Sequence, residues 1–167
     1  MRCLQLKNAD QLSGEIAENI KRYRDGFDKA FSAAFSAYEK LREEKQKKEI
    51  RHVYICYLRS SVTQALPLFR IDLYDEADTE DIDDCAVDWD VPFSSTLYKE
   101  FPLIAVASTG DAKRILLAEQ LMFEEAERFF SAMKDYMSTI IDGSWRQMLP
   151  DVQWHYGEYL DSCDAVL

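Results

Sequence analysis

Residues 52–76 read HVYICYLRSSVTQALPLFRIDLYDE, and this stretch decides the fold class. Val53, Ile55 and Tyr57 alternate with Tyr54, Cys56 and Leu58, so a strand of period two carries large apolar groups on both faces. Such a strand belongs inside a sheet rather than at its edge. From Leu68 to Asp75, Phe69, Ile71 and Leu73 fall on one side and Arg70, Asp72 and Tyr74 on the other, which predicts a second strand with one wet face. Pro67 has no N–H for a ladder and no Asn-Gly type of turn lies between Arg59 and Pro67, so a longer hairpin loop is expected to join the two strands. Cys85, Val87 and Trp89, alternating with Ala86, Asp88 and Asp90, suggest a third strand.

Outward from this hairpin the chain reads as helix. Leu12, Ile16 and Ile20 form one stripe of a helix over 9–24, capped by Asn8 or Asp10, with Gly26 as its end or bend. Phe27, Phe31, Phe35, Tyr38 and Leu41 recur at three- and four-residue intervals and predict a second helix over 27–49 whose aromatic stripe faces the core. Beyond Leu41 the stripe stops, and the Glu43/Lys47 and Glu44/Lys48 pairs describe a solvated, projecting helix end. A third helix is expected over 111–142, with Ile115, Ala118, Met122, Ala126, Phe129, Met133, Met137 and Ile140 on one stripe and Gly143 as its stop. Ser94 or Ser95 can cap a short helix closed by Pro102, Leu103 to Ala107 suits strand and buried helix equally, and the tail from Trp145 suits a short helix packed back on the domain.

A chain of 167 residues with 47% hydrophobic and 13% aromatic content is a single globular domain (1–167) with a substantial core, not a disordered chain. The first residues lack the pattern of a signal peptide and no segment reaches bilayer-spanning length, which implies a soluble, cytoplasmic protein without a membrane contact. Cys3, Cys56, Cys85 and Cys163 are scattered without CxxC or CxxH spacing and read as reduced thiols. The net charge of −11 argues against direct nucleic-acid binding and for a basic partner. Charge is uneven: ten acidic and no basic residues lie between Asp72 and Asp90, whereas Lys40 to Arg51 is locally basic.

No catalytic, phosphate-loop or cofactor signature is present, so no cofactor is implied. The acidic run lacks the Asp-x-Asp-x-Asp-Gly progression of a calcium loop and reads as solvated rather than metal-binding. Glu119, Glu124, Glu125 and Glu127 lack the Glu-x-x-His partners of a carboxylate-bridged metal pair and read as the outer helix face. His155, between Trp154 and Tyr156, has the intrinsic pKa of an acid–base catalyst but the surroundings of a packed side chain. Arg59 and Arg70, with Asp72, Asp75 and Glu76 close by in sequence, form either a structural ion network or the lining of a polar pocket.

The block Tyr54–Ser60, YICYLRS, followed by Phe69–Glu76, FRIDLYDE, and by Cys85 and Trp89, resembles the shared core of an uncharacterised family of bacterial cytoplasmic proteins of similar length. The resemblance implies a common hairpin scaffold and no activity. The expected architecture is α+β, with a small antiparallel sheet of about three strands packed against long amphipathic helices. Three functional readings follow. The first is a non-enzymatic module binding a basic protein through Asp78, Glu80, Asp81, Asp83 and Asp84. The others are a small enzyme or ligand sensor using Arg59, Arg70, Asp72 and His155, and a nucleic-acid mimic that occupies a basic protein.

Overall fold

The computed structural model describes residues 6–44, 46–63, 68–80, 85–91, 110–159, 161 and 163–166. Their elements run α1 (Ala9–Glu18), α2 (Ile20–Glu43), β1 (His52–Tyr57), α3 (Arg59–Thr63), β2 (Leu68–Tyr74), a 3-10 turn (Asp78–Glu80), β3 (Val87–Asp90), α4 (Ala112–Ile140), α5 (Gly143–Met148), β4 (Gln153–Glu158) and β5 (Cys163–Ala165). The fold is α+β as the sequence implies, but the sheet is larger than expected: five strands in the order β3-β2-β1-β4-β5. It is also mixed, because β1 pairs antiparallel with β2 and parallel with β4. The outer pairs β2–β3 and β4–β5 are antiparallel. β1 is the middle strand, the place that its two-sided apolar pattern demands.

The two additional strands come from the tail, where a short helix was expected. The helix is confined to α5, and beyond Pro150 the residues Trp154 and Tyr156 alternate with His155 and Gly157. Both aromatics are almost fully buried and stand on the helix side of the sheet, which outweighs any local helical preference. The Leu103–Ala107 and Ser94–Pro102 segments lie outside the described residues.

One face of the sheet holds the core. Val53 and Ile55 of β1, Phe69, Ile71 and Leu73 of β2, Trp89 of β3 and Trp154 and Tyr156 of β4 are buried there against Phe27 and Phe31 of α2 and Phe129, Phe130 and Met133 of α4. Phe31 meets the Trp154 ring at 5.3 Å, and Phe130 stacks on Tyr57 at 4.1 Å. The Tyr156 hydroxyl donates to the Phe130 carbonyl at 2.7 Å, joining sheet to helix in the buried layer. The aromatic stripe read from the second helix is thus the helix-to-sheet contact.

Three helix boundaries differ from the sequence reading. The first helix ends at Asn19, not near Gly26: the Asn19 side-chain amide donates to the Glu15 carbonyl at 2.8 Å, competing with the backbone ladder. Gly26 lies inside α2, and a Cβ there would stand 3.0 Å from Nε1 of Trp89, so the missing side chain makes room for the indole. α2 ends at Glu43 and no projecting helix follows; Lys47 is 4% exposed, with its ammonium 5.9 Å from the Tyr74 ring centre. The segment folds back over the end of β2, where the Lys48 amide donates to Asp75 at 3.2 Å and the Lys48 ammonium pairs with Glu76. The locally basic segment therefore touches the start of the acidic run, through Lys48 with Asp75 and Glu76. On α4, Glu125 is buried, three residues after buried Met122, rather than on the outer face.

Candidate functional site

The sheet face turned away from the helices carries the alternate residues of the same strands. Register places Asp72, Tyr54 and His155 in one row across β2, β1 and β4, and Arg70, Cys56, Gly157 and Cys163 in the next row across β2, β1, β4 and β5. A cleft of about 260 Å3 lies here, walled by Tyr54, Tyr74 and Tyr159, by Asp72 and Asp161, and by Cys56 and Cys163. Most of its lining comes from β1, β2 and the β4–β5 connection.

Tyr54 is the hub of the first row. Its ring stacks on His155 at 4.3 Å with an interplanar angle of 10°, and meets Tyr74 edge-on at 5.6 Å. Its hydroxyl donates to Oδ2 of Asp78 at 3.2 Å. Burial and that hydrogen bond to a carboxylate push the Tyr54 phenol up to about 12. Asp78 sits on the 3-10 turn with φ of 53°, a left-handed conformation uncommon for a residue with a Cβ. Its Oδ1 is buried without a hydrogen-bond partner among the described residues.

The chain's two histidines, 103 residues apart, meet on this face, with Nδ1 of His52 3.3 Å from Nε2 of His155. Burial and the neighbouring His52 hold His155 below the ordinary imidazole value, and Asp78 partly opposes them. In the second row Nε of Arg70 donates to Asp72 at 3.1 Å, and the guanidinium lies 5.5 Å from the Tyr159 ring centre. Asp72 is 5% exposed, so the guanidinium compensates a carboxylate that would otherwise be costly to bury.

Beside this pair the Sγ atoms of Cys56 and Cys163 are 3.2 Å apart. Both are free thiols. Either thiol can donate to the other, and their mutual hydrogen bond raises Cys56 and lowers Cys163 from the usual thiol value; burial and nearby carboxylates act against the Cys163 thiolate. The Cys163 S–H can in turn donate to the Glu158 carbonyl at 3.7 Å.

Of the residues singled out from the sequence, Arg70, Asp72 and His155 share this face. Arg59 does not. It opens α3, where its side chain pairs with Glu158 at 3.6 Å and lies 5.6 Å from the Phe123 ring centre of α4, on the helix side of the sheet. It follows Tyr57 by two residues, on the same alternation as the helix-side Val53, Ile55 and Tyr57. Asp78 borders the cleft through Tyr54 and Glu80 is exposed on the same turn, whereas Asp81, Asp83 and Asp84 lie outside the described residues. Ser61 is buried as a connector, accepting from the Leu68 amide at 3.1 Å.

Sequence reasoning missed the thiol pair and the paired imidazoles. Separations of 107 and 103 residues leave no local spacing to read, and only the late strands bring each pair together. A larger cavity, about 440 Å3, lies between the α2 C-terminus and residues 148–152; its lining mixes Arg42 and Arg51 with Glu39, Glu49 and Asp151 around Phe35 and Tyr38. Among the described residues its lining has neither the thiols nor the clustered phenols of the sheet-face cleft.

No family model, curated protein or solved structure matches the chain. Among the described residues no group of three or more His, Cys, Asp or Glu side chains gathers to hold a metal ion, and no helix is long and apolar enough to cross a membrane.

Proposed function

We propose that the protein is a non-enzymatic binding module that receives a cationic side chain of a basic partner in the sheet-face cleft. The observation that carries this reading is the lining itself: three tyrosines with Asp72 and Asp161, and no cationic side chain among the described residues that line it. Aromatic faces attract cations by about 0.5–2 kcal/mol, more as water is excluded, and neighbouring carboxylates add directional acceptors. The chain's own Arg70 gives an internal precedent, since it is held between Tyr159 and Asp72 beside the cleft.

The acidic run supplies the second half of the reading. Asp78 and Glu80 stand on the turn bordering the cleft, and Asp81, Asp83 and Asp84 follow in sequence. Charge of one sign around a cleft accelerates the arrival of the opposite charge and is screened by salt. The cleft then acts on dissociation and the run on association.

Titration of the protein with an oligoarginine peptide, monitored by calorimetry and by tyrosine fluorescence, tests this. Binding should weaken as salt rises, fall at least tenfold with Tyr74→Ala combined with Asp161→Asn, and be absent for an oligoglutamate peptide. Replacing Asp78, Glu80, Asp81, Asp83 and Asp84 by Asn or Gln should slow association and leave the melting temperature unchanged or higher. Unaltered oligoarginine affinity in the cleft variant would remove the cleft from the interface. The small cleft volume of about 260 Å3 also favours a second reading, a sensor of a small guanidinium compound, which predicts a higher melting temperature with arginine methyl ester than with the uncharged citrulline analogue.

A further inference from the structure

We propose that Cys56 and Cys163 are a reactive dithiol that exchanges with low-molecular-weight disulfides and closes reversibly into an intramolecular bond across Gly157. The proposal goes beyond the binding reading and holds whatever the cleft receives. Three geometric facts carry it. The two Sγ atoms are 3.2 Å apart on the wall of a cleft. The residue between them in the sheet, paired to Cys56 on one side and to Cys163 on the other, is Gly157. And Cys163 belongs to β5, a three-residue edge strand, whereas Cys56 is fixed in the central strand.

The glycine is the decisive part. Cysteines on strands separated by a third strand have backbones about 9–10 Å apart in a flat sheet, beyond the roughly 4.4–6.8 Å that a disulfide spans between Cα atoms. Here both side chains lean toward each other over a position with no Cβ, on the face where a Cβ at 157 would point. Closing the remaining gap draws β5 inward, and bonds that distort the backbone are the more easily reduced ones. Geometry of this kind suits a bond that is made and broken rather than a permanent staple.

The chemistry balances with a glutathione-type disulfide as oxidant. The Cys163 thiolate attacks one sulfur of that disulfide; a Cys163–glutathione bond forms, the original S–S bond breaks, and one glutathione thiolate leaves with the electron pair. Cys56 loses its proton to solvent and attacks Sγ of Cys163, the protein disulfide forms and the second glutathione thiolate leaves. Two protein thiols are oxidised and one glutathione disulfide is reduced to two thiols. Cys163 is the attacking group because it is the less buried of the two and sits on the edge strand, open to an incoming disulfide.

The test uses the full chain carrying Cys3→Ser and Cys85→Ser, so that the pair alone remains, incubated with oxidised glutathione and read by intact mass and maleimide labelling. The expected product has lost two hydrogens, carries no glutathione and offers no thiol to maleimide, and dithiothreitol restores both thiols. Adding Cys56→Ser should trap a stable glutathione adduct on Cys163, and Gly157→Val, with folding checked by circular dichroism, should trap the same adduct. A persistent adduct in the protein that keeps Cys56 and Gly157, or two thiols that stay fully labelled after oxidation, overturns the proposal.

Discussion

Gly26→Ala sets two well-defined effects against each other. In an exposed helix interior this change gains about 0.5–1 kcal/mol, since alanine loses less conformational freedom than glycine on folding. At Gly26, however, the added Cβ would meet Nε1 of Trp89 at 3.0 Å and Cδ1 at 3.7 Å. That indole is 2% exposed and wedged between Phe27 at 5.4 Å and Phe69 at 5.3 Å, so it cannot swing aside without disturbing the sheet contact. Overpacking of this kind costs about 1–3 kcal/mol, which exceeds the helix gain. The internal control is Gly14→Ala in α1, where nothing lies within 4 Å of the new atom and the helix gain stands alone. The difference between the two variants cancels the propensity contribution and leaves the overpacking cost of about 1–3 kcal/mol. In a domain of this size each kcal/mol moves the melting temperature by about 2–4 °C, so urea and thermal unfolding resolve it. Gly14→Ala should rise and Gly26→Ala fall. Equal stabilisation of both would show that the indole yields without cost and that the glycine in α2 is not there for Trp89.

Tyr156→Phe removes the buried hydroxyl that donates to the Phe130 carbonyl at 2.7 Å, and should cost about 1–2 kcal/mol by urea unfolding; a neutral result would detach that bond from the sheet-to-helix contact. The paired imidazoles predict a pH dependence. His155 is held below its unfolded value of about 6.5, so the native state resists a proton that the unfolded chain accepts; stability is complete above that pH and declines as pH falls through the lower folded value. Thermal melts between pH 7.5 and 5, as an approximate window around the ordinary imidazole value, should show this decline, and His155→Gln should flatten it. An unchanged slope in that variant would assign the decline to other groups.

The alternation of Val53, Ile55 and Tyr57 with Tyr54 and Cys56 determined by itself that β1 is an inner strand, because apolar groups on both faces require cover on both sides. The Phe27–Phe31–Tyr38 and Met122–Met133–Met137 stripes likewise determined which faces of α2 and α4 are buried, since a 3.6-residue period is a local property of the chain. Arg70 and Asp72 were legible as a pair for the same reason: two residues apart on a strand, they share a face. What lies beside β1 was not legible. The parallel partner β4 begins 96 residues after β1 ends, counted from Tyr57 to Gln153, and its short QWHYGE run carries no local sign of the strand that it joins. The cleft depends on that pairing. His155 stacks on Tyr54, and Cys163 reaches Cys56 over Gly157, only because β4 docks in register on one side of β1 while β2 holds the other. Local sequence specifies which groups share a face; the register between distant strands, set by burying Trp154 and Tyr156 against the helices, decides which of them meet.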